Sequence, residues 1–251
     1  MAEVLLTRNN HAVCSEQTGI YVDRIQSDGF ALIPSVVPPQ TTSFLSSRLA
    51  EISSAEVKSR GQSAFGVRKL LKAAPAVGDL ARSDEIRALV EPILGAGAFV
   101  VRGIFFDKTP DANWKVAWHQ DLTITVRRKI EIEGFGSWSV KAGIDHVIPP
   151  VEILEKMLAL RIHLDDADES NGALKVIPGS HKHGRLNPQQ IQALKEERQV
   201  VVCSVPAGGV MAMKPLLLHA SSASAQPWRR RVIHLEFSAM QLPGGLEWYG
   251  S

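Results

Sequence analysis

WHQD, at residues 118–121, and LLLH, at residues 216–219, are the two stretches that decide the fold. Successive side chains of a β-strand point to opposite faces, so His119 and Asp121 can reach one point while the residue between them points elsewhere. Two imidazoles and one carboxylate form the facial triad that holds non-haem Fe(II) and leaves coordination positions open. The distant His219 must then come from another strand, which a barrel-like fold would bring alongside.

The apolar surroundings of these residues strengthen the metal hypothesis, because an isolated His-x-Asp pair is more often a pair of surface side chains. Here the pair lies in an apolar run rich in β-branched residues, 116–126, and His219 ends a second apolar run, 211–218. A charged Asp in a buried strand is costly unless something such as a metal compensates its charge. We therefore expect a metal site with the ligands His119, Asp121 and His219.

Composition excludes several classes of function. The chain has 251 residues, 45% hydrophobic and 22% charged, which suits one globular domain over 1–251. A formal net charge of +2 gives no electrostatic case for a nucleic acid or membrane partner. The basic clusters at 127–129 and 229–231 are not interleaved with aromatic residues, as single-strand binders require. We expect a small-molecule substrate, and the sequence indicates no partner protein.

The two cysteines indicate neither a disulfide framework nor a zinc site. Cys14 and Cys203 are far apart and lie in no metal-ligand spacing. The first ten residues lack the charge and apolar stretch of a signal peptide, and no run approaches transmembrane length. A reducing cytoplasm is the expected location.

The chain changes character near residue 98. Residues 1–97 read as mainly helical, with helices predicted at 17–29, 39–58 and 86–94. Residues 98–240 contain short runs of strand composition separated by Gly, Pro, Asn and Asp. These runs are 98–106, 116–126, 157–164, 174–177, 199–205, 209–213, 216–219 and 230–239. The pattern predicts a mainly β fold, a sandwich or barrel, with helices packed on its outer face.

Residues 127–157 interrupt the strand pattern directly after the expected ligand pair. A long irregular segment inside a compact domain is usually a functional lid or disordered, and the aromatic content here favours a lid. We therefore consider Phe135 and Trp138 as walls of a substrate pocket. Trp118 is another candidate, although a plain core role is at least as natural for it.

A co-substrate with a carboxylate would need a buried arginine, since the guanidinium fork pairs bidentately with that group. Arg230 and Arg231 open the last strand and point to opposite faces, so either could serve, although a surface position is the simplest explanation of the cluster. Arg161 is more telling, because an arginine inside an apolar strand must be paired or line a polar cavity. Arg102 could face the cavity and contact an acidic substrate, or form an outward salt bridge.

Three further histidines are expected to lie in loops rather than bind metal: His146, His181 and His183.

Taken together, several motifs resemble a known family. In chain order they are His119-Gln120-Asp121, Asn171-Gly172-Ala173-Leu174, Ile177-Pro178-Gly179-Ser180-His181, His219-Ala220-Ser221 and the arginine cluster 229–231. Their order and spacing over 17–240 resemble the phytanoyl-CoA dioxygenase family of Fe(II)/2-oxoglutarate oxygenases. The resemblance implies a double-stranded β-helix (jelly-roll, cupin-like) core over 98–240.

The same resemblance assigns roles to individual residues. It implies His119, Asp121 and His219 as the iron ligands. Arg230 follows His219 by eleven residues, as the family's co-substrate arginine follows its distal histidine, with Arg231 as the fallback. Ser221 matches a position that can hydrogen-bond the co-substrate carboxylate. Arg161 falls where family members place a side chain against the co-substrate or substrate.

The expected activity is that of an Fe(II)- and 2-oxoglutarate-dependent dioxygenase that uses O2 and releases succinate and CO2. Halogenating relatives replace the carboxylate ligand by a small residue, so Asp121 favours oxygen transfer, most simply hydroxylation of a small organic molecule. Residues 127–157 match nothing in the phytanoyl-CoA enzymes, so their substrate does not carry over. Two alternatives remain: a cupin-like metalloenzyme that uses no 2-oxo acid, and a non-catalytic small-molecule binding protein on the same fold.

Overall fold

The computed structural model describes residues 18–60, 67–109, 113–225 and 229–250. Cys14 and the first residue of the predicted helix 17–29 lie outside these ranges. In chain order the strands are β1 (Phe30–Ile33), β2 (Phe99–Lys108), β3 (Val116–His119), β4 (Ile124–Val126), β5 (Gly136–Lys141), β6 (Ile144–Ile148), β7 (Met157–His163), β8 (Leu174–Val176), β9 (Val201–Val202), β10 (Val210–Met213), β11 (His219–Ser221) and β12 (Arg230–Ser238). The helices are α1 (18–27), α2 (Pro39–Arg60), α3 (Leu70–Ala73), α4 (Pro75–Arg82), α5 (Asp84–Leu94), α6 (Val151–Glu155) and α7 (Pro188–Glu197).

Two antiparallel sheets form the core. The larger has the order β1-β10-β7-β12-β2 and the smaller has the order β3-β11-β8-β9. The chain crosses between the two sheets from β7 to β8 and again at each step from β9 to β12, which gives the double-stranded β-helix and confirms the predicted fold class. Strand β1 joins the larger sheet from outside the predicted core of 98–240. Among the described residues, no helix combines the length and apolar character needed to cross a membrane.

Side-chain alternation along β7 separates the hydrophobic core from the barrel interior. Leu158, Leu160 and Ile162 pack in one cluster with residues of the helices α1, α2, α4 and α5. Arg161 and His163 lie on the opposite face, because neighbouring side chains of a strand point to opposite sides. All seven residues of β7 are buried, as expected for a strand covered on both faces.

Several element predictions need correction. The run 116–126 is two strands, β3 and β4, and Asp121 lies between them, so strand alternation does not place this carboxylate. The prediction also omits α4 and α7, although both carry recognisable start signals. Pro75 opens α4, and α7 begins with a capping box formed by Asn187 and Gln190.

The expectation of an irregular segment at 127–157 is wrong. Strand β6 pairs with β4 on one side and with β5 on the other in a separate antiparallel sheet, and α6 follows. The hairpin is joined at Ala142-Gly143, where both residues have positive φ, as a tight two-residue turn requires. His146 lies in β6 and is 1% exposed, so the expectation of a loop histidine is also wrong for this residue.

The packing of β2 against the helices gives a stability prediction. Phe105 is fully buried in the helix-facing cluster, whereas Phe44 on α2 is 53% exposed. We expect Phe105→Ala to lower the free energy of unfolding by about 3–5 kcal/mol, because it removes a large side chain and leaves a cavity. Phe44→Ala, the matched control, should change it by less than about 0.5 kcal/mol. Urea unfolding measures both, and similar losses for the two variants would contradict this packing.

Burial of His146 makes stability depend on pH. The pKa of His146 is lowered from 6.5 to about 4, first by burial and then by the charges of Arg102, Lys141 and Arg68. Between these pH values the unfolded chain takes up a proton that the folded chain does not, so acidification favours unfolding. We expect the wild type to lose stability relative to His146→Gln by up to about 1.4 kcal/mol per pH unit in this window. Unfolding at a series of pH values tests this; the same change at exposed His183 is the control, and parallel curves for wild type and His146→Gln would refute it.

Candidate active site

His119, Asp121 and His219 come together at one end of the smaller sheet. His119 and His219 are paired in register across β3 and β11, and their ring centroids are 4.2 Å apart. The backbone N–H of Asp121 donates to the carbonyl of Pro215, which ties the carboxylate to the segment before His219. Each Nε2 atom lies 3.8 Å from an oxygen of Asp121. The three potential ligand atoms all lie within 4.8 Å of one another, so this set can converge on one metal ion.

Both imidazoles are oriented by a backbone carbonyl two residues earlier in the chain. Nδ1 of His119 lies 2.9 Å from the carbonyl oxygen of Ala117, and Nδ1 of His219 lies 2.8 Å from that of Leu217. A carbonyl only accepts, so each Nδ1 carries the proton and donates it. Each Nε2 therefore keeps its lone pair and faces Asp121, which is the tautomer that a metal requires.

The charge states also suit a cation. Burial alone would raise the pKa of Asp121, but His219, His234, His119 and Arg102 lower it to about 2. Burial lowers the pKa of His219 to about 4, against the opposing effect of Asp121. An ionised carboxylate beside a neutral imidazole is the state in which these groups bind a metal ion.

Gln120, between the two nearest ligands, is a clamp that sequence reasoning missed. Its side-chain nitrogen donates to the carbonyls of Gly184 and Leu216 at 2.8 and 2.7 Å. Its side-chain oxygen accepts from the backbone N–H of Leu186 at 2.8 Å. The amide thus joins three chain segments directly behind the ligand pair. No feature of the sequence distinguishes this glutamine, because its partners are all backbone groups.

A cavity of about 160 Å³ beside the cluster, the metal cavity, is lined by two buried arginines, Arg161 and Arg230. Arg230 donates from Nε to the carbonyl of Asn171 at 3.2 Å, and Arg161 lies 3.3 Å from Nδ1 of His234. Neither arginine forms an ion pair with a carboxylate in the described part of the chain. Burial lowers the pKa of each to about 10, so both stay protonated at neutral pH.

The neighbours of Arg230 turn away from this cavity. Arg231 forms a two-point ion pair with Asp165 at 2.6 and 2.8 Å, and Arg229 forms one with Asp107. Of the three arginines at 229–231, only Arg230 lines the metal cavity. The geometry therefore favours Arg230 over the fallback Arg231.

Ser221 and Arg102 also line the metal cavity, but both already have partners. The Ser221 hydroxyl donates to the carbonyl of Gly172 at 2.8 Å, so towards a ligand it is placed to accept. Arg102 donates to Glu236 at 3.0 Å, and Glu236 lies 3.3 Å from Nε2 of His234. This buried chain was available from the sequence, since His234 and Glu236 share the face of Arg230 on β12.

The three aromatic residues expected at the pocket do not line the metal cavity. Phe135 and Trp138 pack in an apolar cluster around β4, β6 and α6, and Trp118 packs against Ile177 and Leu218. The fold of the insertion as a sheet directs the first two into that cluster, and strand alternation turns Trp118 away from His119. The aromatic side chains on the wall are instead Trp114 and Phe106. No described residue of 127–157 borders this cavity, so a lid there has no support from the lining.

The chain is similar to known proteins in sequence and in fold. Residues 25–232 match the family model described as phytanoyl-CoA dioxygenase (PhyH). Ectoine dioxygenase of Bordetella parapertussis is 22% identical over 189 residues, covering 66% of this chain and 54% of that protein. The chain thus spans about half the length of the curated relatives it matches.

Solved structures show the same fold. AviO1 from Streptomyces viridochromogenes has a TM-score of 0.65 at 22% identity, and the match covers 90% of this chain and 95% of that one. EctD from S. alaskensis, solved with 2-oxoglutarate and 5-hydroxyectoine, has a TM-score of 0.68 at 17% identity and covers 86% of this chain and 74% of that one. At these identities the matches support the architecture of the core.

The clamp at Gln120 gives a prediction of its own. Gln120→Glu replaces a donor by an acceptor that faces two carbonyl oxygens, so we expect the free energy of unfolding to fall by about 3 kcal/mol. Gln241→Glu, the same change at an exposed position, should have little effect. Chemical denaturation of the metal-free protein compares them, and equal stability of the two variants would show that the clamp is unimportant.

Proposed function

This chain belongs to the phytanoyl-CoA dioxygenase family, and we propose that it is an Fe(II)- and 2-oxoglutarate-dependent oxygenase acting on a small organic molecule. One observation carries the proposal: a His–Asp–His cluster and two buried arginines without carboxylate partners share one cavity. The first group fits a divalent metal and the second fits the carboxylates of a 2-oxo acid.

The donor set fits iron. His119 and His219 would bind through Nε2 and Asp121 through its carboxylate. Two imidazoles and a carboxylate from one side form the facial triad that is diagnostic of non-haem Fe(II) oxygenases. His119 and Asp121 keep 40% and 30% of their side chains exposed, so the cluster is accessible from solvent. Asp121 keeps the carboxylate ligand that halogenating relatives lack, which favours oxygen transfer.

The charges of the metal cavity argue for a dianionic co-substrate. Its lining contains three arginines, Arg102, Arg161 and Arg230, against two carboxylates, Asp121 and Glu236. A divalent metal would add two further positive charges at a partly buried position, where uncompensated charge is costly. 2-Oxoglutarate brings two negative charges and so offsets those of the metal.

Arg230 and Arg161 would receive this co-substrate in different ways. Arg230 projects from the start of β12 with one guanidinium N–H used by Asn171, so its fork remains for a carboxylate. Nε of Arg161 is buried without a partner among the described residues, which leaves a donor to satisfy. Ser221 lies on the same wall and would accept or, after rotation, donate a hydrogen bond.

Held by His119, Asp121 and His219, Fe(II) would supply the activation of O2, coupled to the oxidative decarboxylation of 2-oxoglutarate to succinate and CO2. The chain's own residues orient the metal ligands and keep water from the reacting centre. Backbone carbonyls hold both imidazoles in the metal-binding tautomer, and the Arg102–Glu236–His234 chain fixes the floor of the cavity. The walls Ile104, Phe106 and Leu174 are apolar and help to keep water from the reacting centre.

We also propose a small-molecule substrate and a cytoplasmic location. A relative that this chain partly covers is an ectoine dioxygenase, which supports a small-molecule substrate of the same general size. Hydroxylation is the simplest outcome. The buried free thiol of Cys203 is compatible with a reducing cytoplasm, which we include in the proposal.

The first test is an anaerobic absorbance titration with Fe(II) and then 2-oxoglutarate. We expect a visible charge-transfer band that requires both additions. Arg230→Ala should weaken 2-oxoglutarate binding about 100-fold, because it removes the buried partner of a carboxylate. Arg231→Ala is the matched control and should leave the affinity within about threefold, since Arg231 is engaged by Asp165.

The other outcomes separate the alternatives. Iron binding without a band on addition of 2-oxoglutarate would point to the cupin-like metalloenzyme, which needs no co-substrate arginine. Binding of a small molecule that survives removal of the metal would point to a binding protein. A protein that fails to bind iron would refute the proposed ligands His119, Asp121 and His219.

A further inference from the structure

A second and larger cavity lies behind the edge strand β2. Its volume is about 620 Å³, and β2, β4, β6, residues 68–72 and residues 249–250 enclose it. Five cationic side chains line it: Arg68, Lys69, Lys72, Arg102 and Arg127. Among the described lining residues there is no Asp or Glu. We call this space the basic cavity.

The back wall of the basic cavity carries polar groups that lack partners. Thr125 of β4 and His146 of β6 are directly paired across the two strands, so their side chains project side by side. They are 2% and 1% exposed. The Thr125 hydroxyl and both ring nitrogens of His146 have no hydrogen-bond partner in the described part of the chain. Buried polar atoms in this condition are rare and destabilising, and a ligand, an ion or water would satisfy them.

The cations of the basic cavity are only partly compensated. Arg102 pairs with Glu236, and Arg127 lies 3.4 Å from the exposed Glu247. Lys69 and Lys72 are exposed at the rim, and no carboxylate in the described ranges forms an ion pair with either. The basic cavity therefore has an excess of positive charge at its rim and hydrogen-bonding groups at its back wall.

We propose that the basic cavity binds the phosphate group of a small organic molecule. Lysine point charges, an arginine fork and the neutral donors of a hydroxyl and an imidazole are the groups that bind phosphate oxygens. A dianionic group matches the two uncompensated lysines better than a single carboxylate does. The volume exceeds that of a lone phosphate and falls in the range of pockets for whole small ligands.

The basic cavity adjoins the metal cavity through one side chain. Arg102 lines both spaces, and its bond to Glu236 lies on the boundary. Phosphate binding at the basic cavity nevertheless needs neither iron nor 2-oxoglutarate. The inference can therefore be tested on the metal-free protein and fails independently of the proposed function.

The test is calorimetric titration of the metal-free protein with inorganic phosphate at low salt. We expect Lys69→Gln combined with Lys72→Gln to weaken binding at least about tenfold. Lys156→Gln combined with Lys182→Gln removes the same charge from exposed positions outside the basic cavity and should change the affinity less than about twofold. If the two double variants weaken binding equally, the effect is one of net charge and the proposal is overturned.

A near-isosteric variant tests the back wall. Thr125→Val removes only the unpartnered hydroxyl, so we expect phosphate binding to weaken about three- to tenfold with no loss of melting temperature. A purely structural hydroxyl would give unchanged binding, which would overturn the proposal. The variant also guards against a folding artefact, because a valine in a buried strand is well tolerated.

Two further titrations test where phosphate binds and whether phosphate is the preferred anion. Arg230→Ala should leave phosphate affinity unchanged; loss of binding there would place phosphate in the metal cavity and overturn the assignment. Succinate, titrated in the same way, should bind more weakly than phosphate, and equal or tighter binding would overturn the choice of phosphate. Absence of any phosphate binding at millimolar concentration would overturn the proposal outright, whether or not the iron and 2-oxoglutarate band is present.

Discussion

Strands β7 and β12 are covered on both faces, and this constraint shapes everything around the site. Apolar side chains at alternate positions, such as Leu160 and Leu235, pack under the helices, so the positions between them must face the barrel interior. Those positions hold Arg161, His234 and Glu236, directly opposed or adjacent across the two strands. A polar interior of this kind is stable only where charges meet partners or ligands, because burial of unpaired charge is costly.

The geometry of the His–Asp–His cluster depends on backbone groups more than on other side chains. Carbonyls two residues before each histidine fix both rings, and the carbonyl of Pro215 holds the backbone of Asp121. Such partners belong to the backbone and do not shift when a surface side chain changes. The cluster is therefore preorganised by the pairing of β3 with β11, which is the support that a precise site requires.

Sequence reasoning predicted the parts of this site that follow from residue type and spacing. His119, Asp121 and His219 form a recognisable set because their chemistry is unusual in apolar strands, whereas Arg230 was expected only from the spacing that the family resemblance implies. The same reasoning failed where tertiary packing decides, as at Phe135 and Trp138, which the sheet of the insertion directs into an apolar cluster away from the metal cavity. Gln120 stayed hidden because its partners are backbone atoms from distant segments. The sheet at 127–157 was missed because its strands alternate weakly: no residue of β5 is fully buried, so neither of its faces carries a clear apolar stripe.

The insertion is better understood as a wall than as a lid. Its strands extend β4, so Thr125 and His146 are held on a sheet rather than on a mobile loop, and the chain near Tyr249 closes the same edge through a backbone bond to Thr125. The result is a second enclosed space separated from the metal cavity by the Arg102–Glu236 pair. An ion pair that separates two cavities costs more free energy to bury than apolar side chains would, unless each cavity holds a charged group that the pair stabilises. An anion on the outer side and a metal with its carboxylate ligand on the inner side would supply that need.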